Sequence, residues 1–113
     1  MLGEVKIGDK TIEMKATGST PFWYNQVFHV SRLEDDFFNA TQTMEDNPGA
    51  AVGVWSRVAF IMMKQAEGKI DKANESQFMK WLDEFEAMEI PNAIPAIVDI
   101  YMAQTSGAAK AKK

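Results

Sequence analysis

Residues 50–66 constrain this chain more than any other stretch, because they read as a helix that is apolar on nearly every side. Val52, Trp55, Ala59, Met62 and Ala66 form one stripe at helical spacing, and Val54, Val58 and Ile61 widen it. Only Ser56, Arg57, Lys64 and Gln65 are strongly polar. A helix without a hydrophilic face belongs in the middle of a domain or in a contact between subunits. A chain of 113 residues has room for one core, so the remaining elements must wrap around this helix. Gly68 stands where a left-handed residue would end it.

The flanking segments supply that wrapping. Over residues 4–16, Val5 and Ile7 alternate with Glu4 and Lys6, and Ile12, Met14 and Ala16 alternate with Glu13 and Lys15. Gly8-Asp9-Lys10 lies between the two runs, so a β-hairpin is expected, turning at a Gly with positive φ. An isolated hairpin is marginal in water, so its apolar face must lie on helices. After the linker 16–19, Thr20-Pro21 predicts a helix start with a hydroxyl N-cap and proline in the first turn, running to about Val30.

Ser31 can cap a second helix over about 32–45, with Glu34, Asp35 and Asp36 in its first turn. Asp46-Asn47-Pro48-Gly49 is a strong break. Beyond Gly68, a polar connection leads to a helix capped by Asn74 or Ser76. It carries Phe78, Trp81, Leu82, Phe85 and Met88 on one stripe. Ile90-Pro91-Asn92 is expected to break the chain again. A last helix over about 93–104 would then bury Ile94, Ile97, Val98 and Tyr101, with Asn92 as its N-cap and Pro95 in its first turn. The expected fold is α+β and mainly α, an N-terminal hairpin followed by about five helices in a compact bundle. Residues 1–105 form one domain.

Residues 106–113 differ from everything before them. They contain no apolar residue larger than Ala and carry Lys110, Lys112 and Lys113. Such a segment buries nothing that could offset the entropy of ordering, so a disordered basic tail is expected. The whole chain has net charge −4, and removing the tail's three lysines leaves residues 1–105 at −7. An acidic body argues against nucleic acid as its partner, since phosphate binding needs clustered Lys and Arg. No apolar run approaches the length of a membrane span, and no secretory leader pattern opens the chain, so a soluble intracellular protein is expected.

Chemistry-bearing patterns are sparse. With no cysteine, thiolate nucleophiles and thiolate metal sites are excluded. His29 has no hydroxyl in an elbow or triad pattern beside it, so a structural imidazole is the expected reading. The acidic runs lack calcium-loop or zinc-helix spacing, and no glycine pattern makes a phosphate loop. Neither enzyme activity, a metal nor a cofactor is expected. Eight Met and twelve aromatic residues nonetheless exceed what such a core plainly needs. Met and aromatic side chains also suit surfaces that adapt to a partner. Three consecutive helical residues span about 200° of arc, so Phe22, Trp23 and Tyr24 cannot all face inward. Phe22, Trp23, Tyr24, Phe28, Met62 and Met63 are the candidate protein-interaction residues.

Several stretches, in this order, carry a resemblance. A hairpin Val5-Lys-Ile-Gly-Asp-Lys-Thr-Ile-Glu-Met-Lys-Ala16 leads into Thr17-Gly-Ser-Thr-Pro-Phe-Trp-Tyr-Asn-Gln-Val-Phe28. Then come Ser56-Arg-Val-Ala-Phe-Ile-Met-Met-Lys-Gln-Ala66, Phe78-Met-Lys-Trp-Leu-Asp-Glu-Phe-Glu-Ala-Met88, an Ile-Pro segment, a terminal helix and a lysine-rich end. Over nearly its full length the chain resembles the tail assembly chaperones of long-tailed phages and prophages of Gram-positive bacteria. Asn25 departs from the basic residue expected among the aromatics.

The resemblance implies a role in virion morphogenesis, in the host cytoplasm and outside the mature virion. The implied partners are the tape measure protein, the major tail tube protein and a frameshifted longer form of the chain itself; a homo-oligomer is compatible with it. The ending Lys112-Lys113 permits the A-rich codons of a slippery site for a programmed frameshift. The alternatives are a structural tail or connector protein retained in the virion, and a host helical adaptor or antitoxin-like regulator.

Overall fold

The computed structural model describes residues 2–28 and 48–105. The expected helix over 32–45, His29 and the lysine-rich tail lie outside the described residues. Strands β1 (Leu2–Ile7) and β2 (Lys10–Lys15) form the antiparallel hairpin. Its loop is two residues long, Gly8-Asp9, rather than three, because Lys10 already pairs with Ile7. Gly8 has φ 61°, at the loop position that a type II′ turn reserves for Gly. A Cβ there would also meet the Glu89 carboxylate of the last helix, which would have to shift. The register sets Val5 opposite Ile12 and Gly3 opposite Met14. Val5, Ile7 and Met14 are buried and Ile12 is half-buried, so the expected alternation governs the sheet. Gly3 lies under Ile100, whose side chain would have to shift to admit a Cβ there.

Four α-helices follow among the described residues: α1 (Thr20–Val27), α2 (Pro48–Glu67), α3 (Glu75–Leu82) and α4 (Glu89–Thr105). Helix α2 is the axis. Every residue from 54 to 63 except Arg57 is buried, and the hairpin, α1 and α4 all pack on it. Ser56, one of the few polar residues of this helix, is buried too; its hydroxyl donates to the Val52 carbonyl at 2.7 Å, one turn back in the helix. At its C-terminus Gly68 takes φ 74°. The Lys69 N–H then donates to the Lys64 carbonyl at 3.0 Å and the Gly68 N–H to Gln65 at 3.2 Å, which is a Schellman motif.

A short 3₁₀ turn, Ile70–Lys72, interrupts the expected polar connection. Asn74 then caps α3, its side chain accepting from the Gln77 N–H at 2.9 Å. Two expectations fail beyond this point. Helix α3 stops at Leu82 instead of continuing to Met88. Asp83, Glu84 and Glu86 place negative charge at the carbonyl end of the helix, where the helix dipole disfavours it. The chain tightens there into turns, with the Glu84 N–H reaching the Trp81 carbonyl and the Phe85 N–H the Leu82 carbonyl, both at 3.1 Å.

Helix α4 starts at Glu89 and runs through both prolines, so Ile90-Pro91-Asn92 is not a break and Asn92 is not a cap. Pro91 sits in the first turn, where its missing N–H has no helical partner to lose. Pro95 lies inside the helix, at an exposed position. The start is favoured because Ile90, Ala93 and Ile97 bury one face, and the Glu89 carboxylate accepts from the Glu86 N–H at 2.8 Å.

A chain of aromatic rings ties the helices together. Phe28 meets Phe78 at 5.1 Å between centroids, Phe78 meets Phe60 at 5.4 Å, and Phe60 meets Trp81 at 5.8 Å. These separations are those of favourable edge and tilted pairs. The radius of gyration, 13.5 Å, is that of a single compact body of this length.

Candidate interaction surface

Helix α1 is fixed by a polar knot rather than by the cap its sequence suggests. Ser19, not Thr20, occupies the N-cap position, and it makes no side-chain capping bond. Thr20 is instead the first helical residue and fully buried. Its hydroxyl donates to Gln65 Oε1 at 2.6 Å and accepts from the Thr17 N–H at 2.9 Å. Gln65 Nε2 returns a bond to the Thr17 hydroxyl at 3.0 Å. The linker and the start of α1 are thereby pinned to the end of α2. On the far side, the Arg57 guanidinium donates to the Tyr24 hydroxyl at 3.4 Å and lies 5.8 Å from the Phe28 ring centre.

This anchoring decides which of the six candidate residues can meet a partner. Tyr24, Phe28, Met62 and Met63 are all buried core residues. Trp23 is half-buried against that core. Phe22 is 70% exposed, so it is one ring of the Phe22-Trp23-Tyr24 triplet that stays outside, as a 200° arc requires of at least one. With Ser19 and Gln26 it borders a shallow hollow against Trp23. Of the six, Phe22 and Trp23 reach the surface, and the other four lie in the interior. Three exposed methionines that sequence reasoning did not single out as interaction residues join them: Met79 at 58%, Met88 at 62% and Met102 at 44%. Met79 had a readable signal, since it lies off the stripe of Phe78, Trp81 and Leu82. Met88 had none, because its exposure follows from the early end of α3.

A second feature lies away from α1. A groove of about 610 Å³ runs between β2, the C-terminal half of α2 and α3. Ile12, Phe60, Met63 and Trp81 supply its apolar lining. Lys10 and Glu84 form an ion pair across one end, and Lys10 Nζ stands 5.4 Å from the Phe85 ring centre. Along the α2 side, Lys64 pairs with Glu67 at 3.5 Å. Both pairs are at least partly exposed, and such pairs contribute little to stability. Among the described residues there is no cluster of three or more His, Cys, Asp or Glu placed to hold a metal ion. No described helix is long and apolar enough to cross a membrane.

No protein-family model, no curated protein and no solved structure matches this chain. Function must therefore be argued from the residues and the surface they make.

Proposed function

We propose that this chain is a tail assembly chaperone of a long-tailed phage or prophage, which binds and solubilises the tape measure protein and helps recruit major tail tube subunits. The observation that carries the reading is Phe22, a full aromatic side chain held 70% exposed on a helix whose neighbouring Tyr24 is buried. A ring with no part in the core is available to a partner, and half-buried Trp23 extends its area. Met79, Met88 and Met102 add flexible, polarisable groups that can conform to varied apolar surfaces. A tape measure protein is a long helical chain with apolar stripes that would self-associate before a tube surrounds it. An adaptable cover of modest affinity protects such stripes and can be displaced by tube subunits.

The charge of −7 on residues 1–105 suits this task, since mutual repulsion keeps many coated copies apart. A frameshifted longer form would present the same body and add a segment for the tube protein. The chaperone then acts in the host cytoplasm and leaves before the virion is finished, with no bond-making step of its own.

The decisive experiment co-expresses the tape measure protein with the wild-type chain or Phe22→Ser. The wild type is expected to keep the tape measure protein in the soluble fraction and to co-purify with it, and Phe22→Ser to lose most of that capture. A tape measure protein that stays insoluble in both cases sinks the proposal. Mass spectrometry of purified virions separates the rival: a stoichiometric signal would make this a retained tail or connector protein.

A further inference from the structure

Helix α3 is attached to the rest of the molecule in a different way from the other helices. Backbones approach closely where β2, α1 and α4 meet α2 and where α4 meets β1, but α3 shares little of this with any described element. Its hold is two rings. Phe78 and Trp81 are its buried residues. Phe78 meets Phe28 at 5.1 Å and Phe60 at 5.4 Å, and Trp81 meets Phe60 at 5.8 Å. Glu75, Ser76, Gln77, Met79 and Lys80 are exposed. Neither flank of the helix is filled. Gln77, Lys80 and Trp81 border the groove of about 610 Å³, and Phe78 and Leu82, on another face, border a second hollow of about 400 Å³. Open space beside a ring forfeits the dispersion contacts that packed neighbours would supply.

The ends of α3 are equally lightly held. Before it, the chain leaves α2 at Gly68, with φ 74°, and passes through the 3₁₀ turn to Asn74. After it, turns run to Met88 before α4 begins. The Lys10–Glu84 ion pair, which ties this stretch to the hairpin, is about half exposed on both sides and contributes little. The remaining elements have supports of their own that use no residue of 69–88. Thr20 and Gln65 join α1 to α2, Trp55 and Tyr101 join α2 to α4 at 5.7 Å between ring centres, and the hairpin lies on both long helices. We infer that residues 69–88 open as one unit while the hairpin, α1, α2 and α4 stay folded. Opening carries Phe78 and Trp81 outward and bares Phe28 and Phe60, joining the two hollows into one aromatic face along α2. The stretch is a flap over apolar surface. This inference is independent of the assembly reading above, because it concerns what the chain does alone.

The test is amide hydrogen exchange of the full chain, followed residue by residue by NMR at low urea concentrations and corrected for intrinsic rates. The Met79–Leu82 amides are expected to share one opening constant, at least about tenfold larger than that of the slowest α2 amides. That constant should rise with urea, but less steeply than theirs, because less surface is exposed. Two variants separate the flap from the body. Asn74→Ala removes the α3 cap, so it should speed both sets of amides by the same factor, about fivefold. Thr20→Val weakens a contact that survives in the open form, so it should speed the slow α2 amides about fivefold or more and leave Met79–Leu82 unchanged. The inference is overturned if the α3 amides are as slow as the slowest in α2, or if their exchange does not depend on urea. Thr20→Val speeding both sets in step would overturn it too, since α3 would then open only when the whole molecule unfolds.

Discussion

Phe22 and Tyr24 are two positions apart and chemically similar, yet one ring is mostly in water and the other in the core. Replacing Phe22 with Ser is therefore expected to change folding stability by no more than about 0.5 kcal/mol, read from urea unfolding, while removing partner capture. Thr20 shows the opposite case, a polar group whose value lies inside the molecule. Thr20→Val keeps the shape but strands Gln65 Oε1 and the Thr17 N–H in a part-buried site. The expected loss is about 1–3 kcal/mol in the same measurement, and a neutral result would show that water replaces the hydroxyl at no cost. Gly8 is held by conformation and space together, with φ 61° and the Glu89 carboxylate against its missing side chain. Gly8→Ala is expected to lower stability by about 1–3 kcal/mol.

Helix ends, rather than helix existence, decide how α3 and α4 work. The apolar stripe that begins at Phe78 continues past the helix, so Phe85 still reaches Trp81, at 5.3 Å between ring centres, from a turn. That turn brings Glu84 to Lys10 and closes one end of the groove. In α4, Pro95 removes a backbone donor from the helix interior at an exposed position. Pro95→Ala restores the bond to the Pro91 carbonyl and is expected to raise stability by about 1–3 kcal/mol, seen as a higher midpoint in urea. A fall would mean that the unfolded chain gains more freedom from losing the proline than the helix gains from the bond.

Taken as one body, the protein joins a well-filled aromatic core to an acidic exterior and a basic ending. Because residues 106–113 have nothing sizeable to bury, deleting them is expected to leave the unfolding midpoint unchanged within about 0.5 kcal/mol while moving the net charge from −4 to −7. A clear loss of stability would mean that the lysines engage the folded body. Exposed Phe22 on α1 and the groove beside β2 are formed by different elements.

Local periodicity made much of this architecture readable in advance. Alternation fixes the faces of the hairpin, and near-complete apolarity sends α2 to the centre. Gly68 and Asn74 act as helix terminators and caps through bonds to residues only a few positions away. What pattern could not reveal depends on partners far along the chain. Thr20 reads as a cap, but its hydroxyl is taken by Gln65, 45 positions later. The groove mouth is closed by Lys10 and Glu84, 74 positions apart. Which ring of Phe22-Trp23-Tyr24 stays outside follows from where that knot sets α1 on α2. Short-range rules choose what a segment becomes, because its own hydrogen bonds and spacing are nearly complete. The surface left for a partner is settled only when the segments compete for burial against one another.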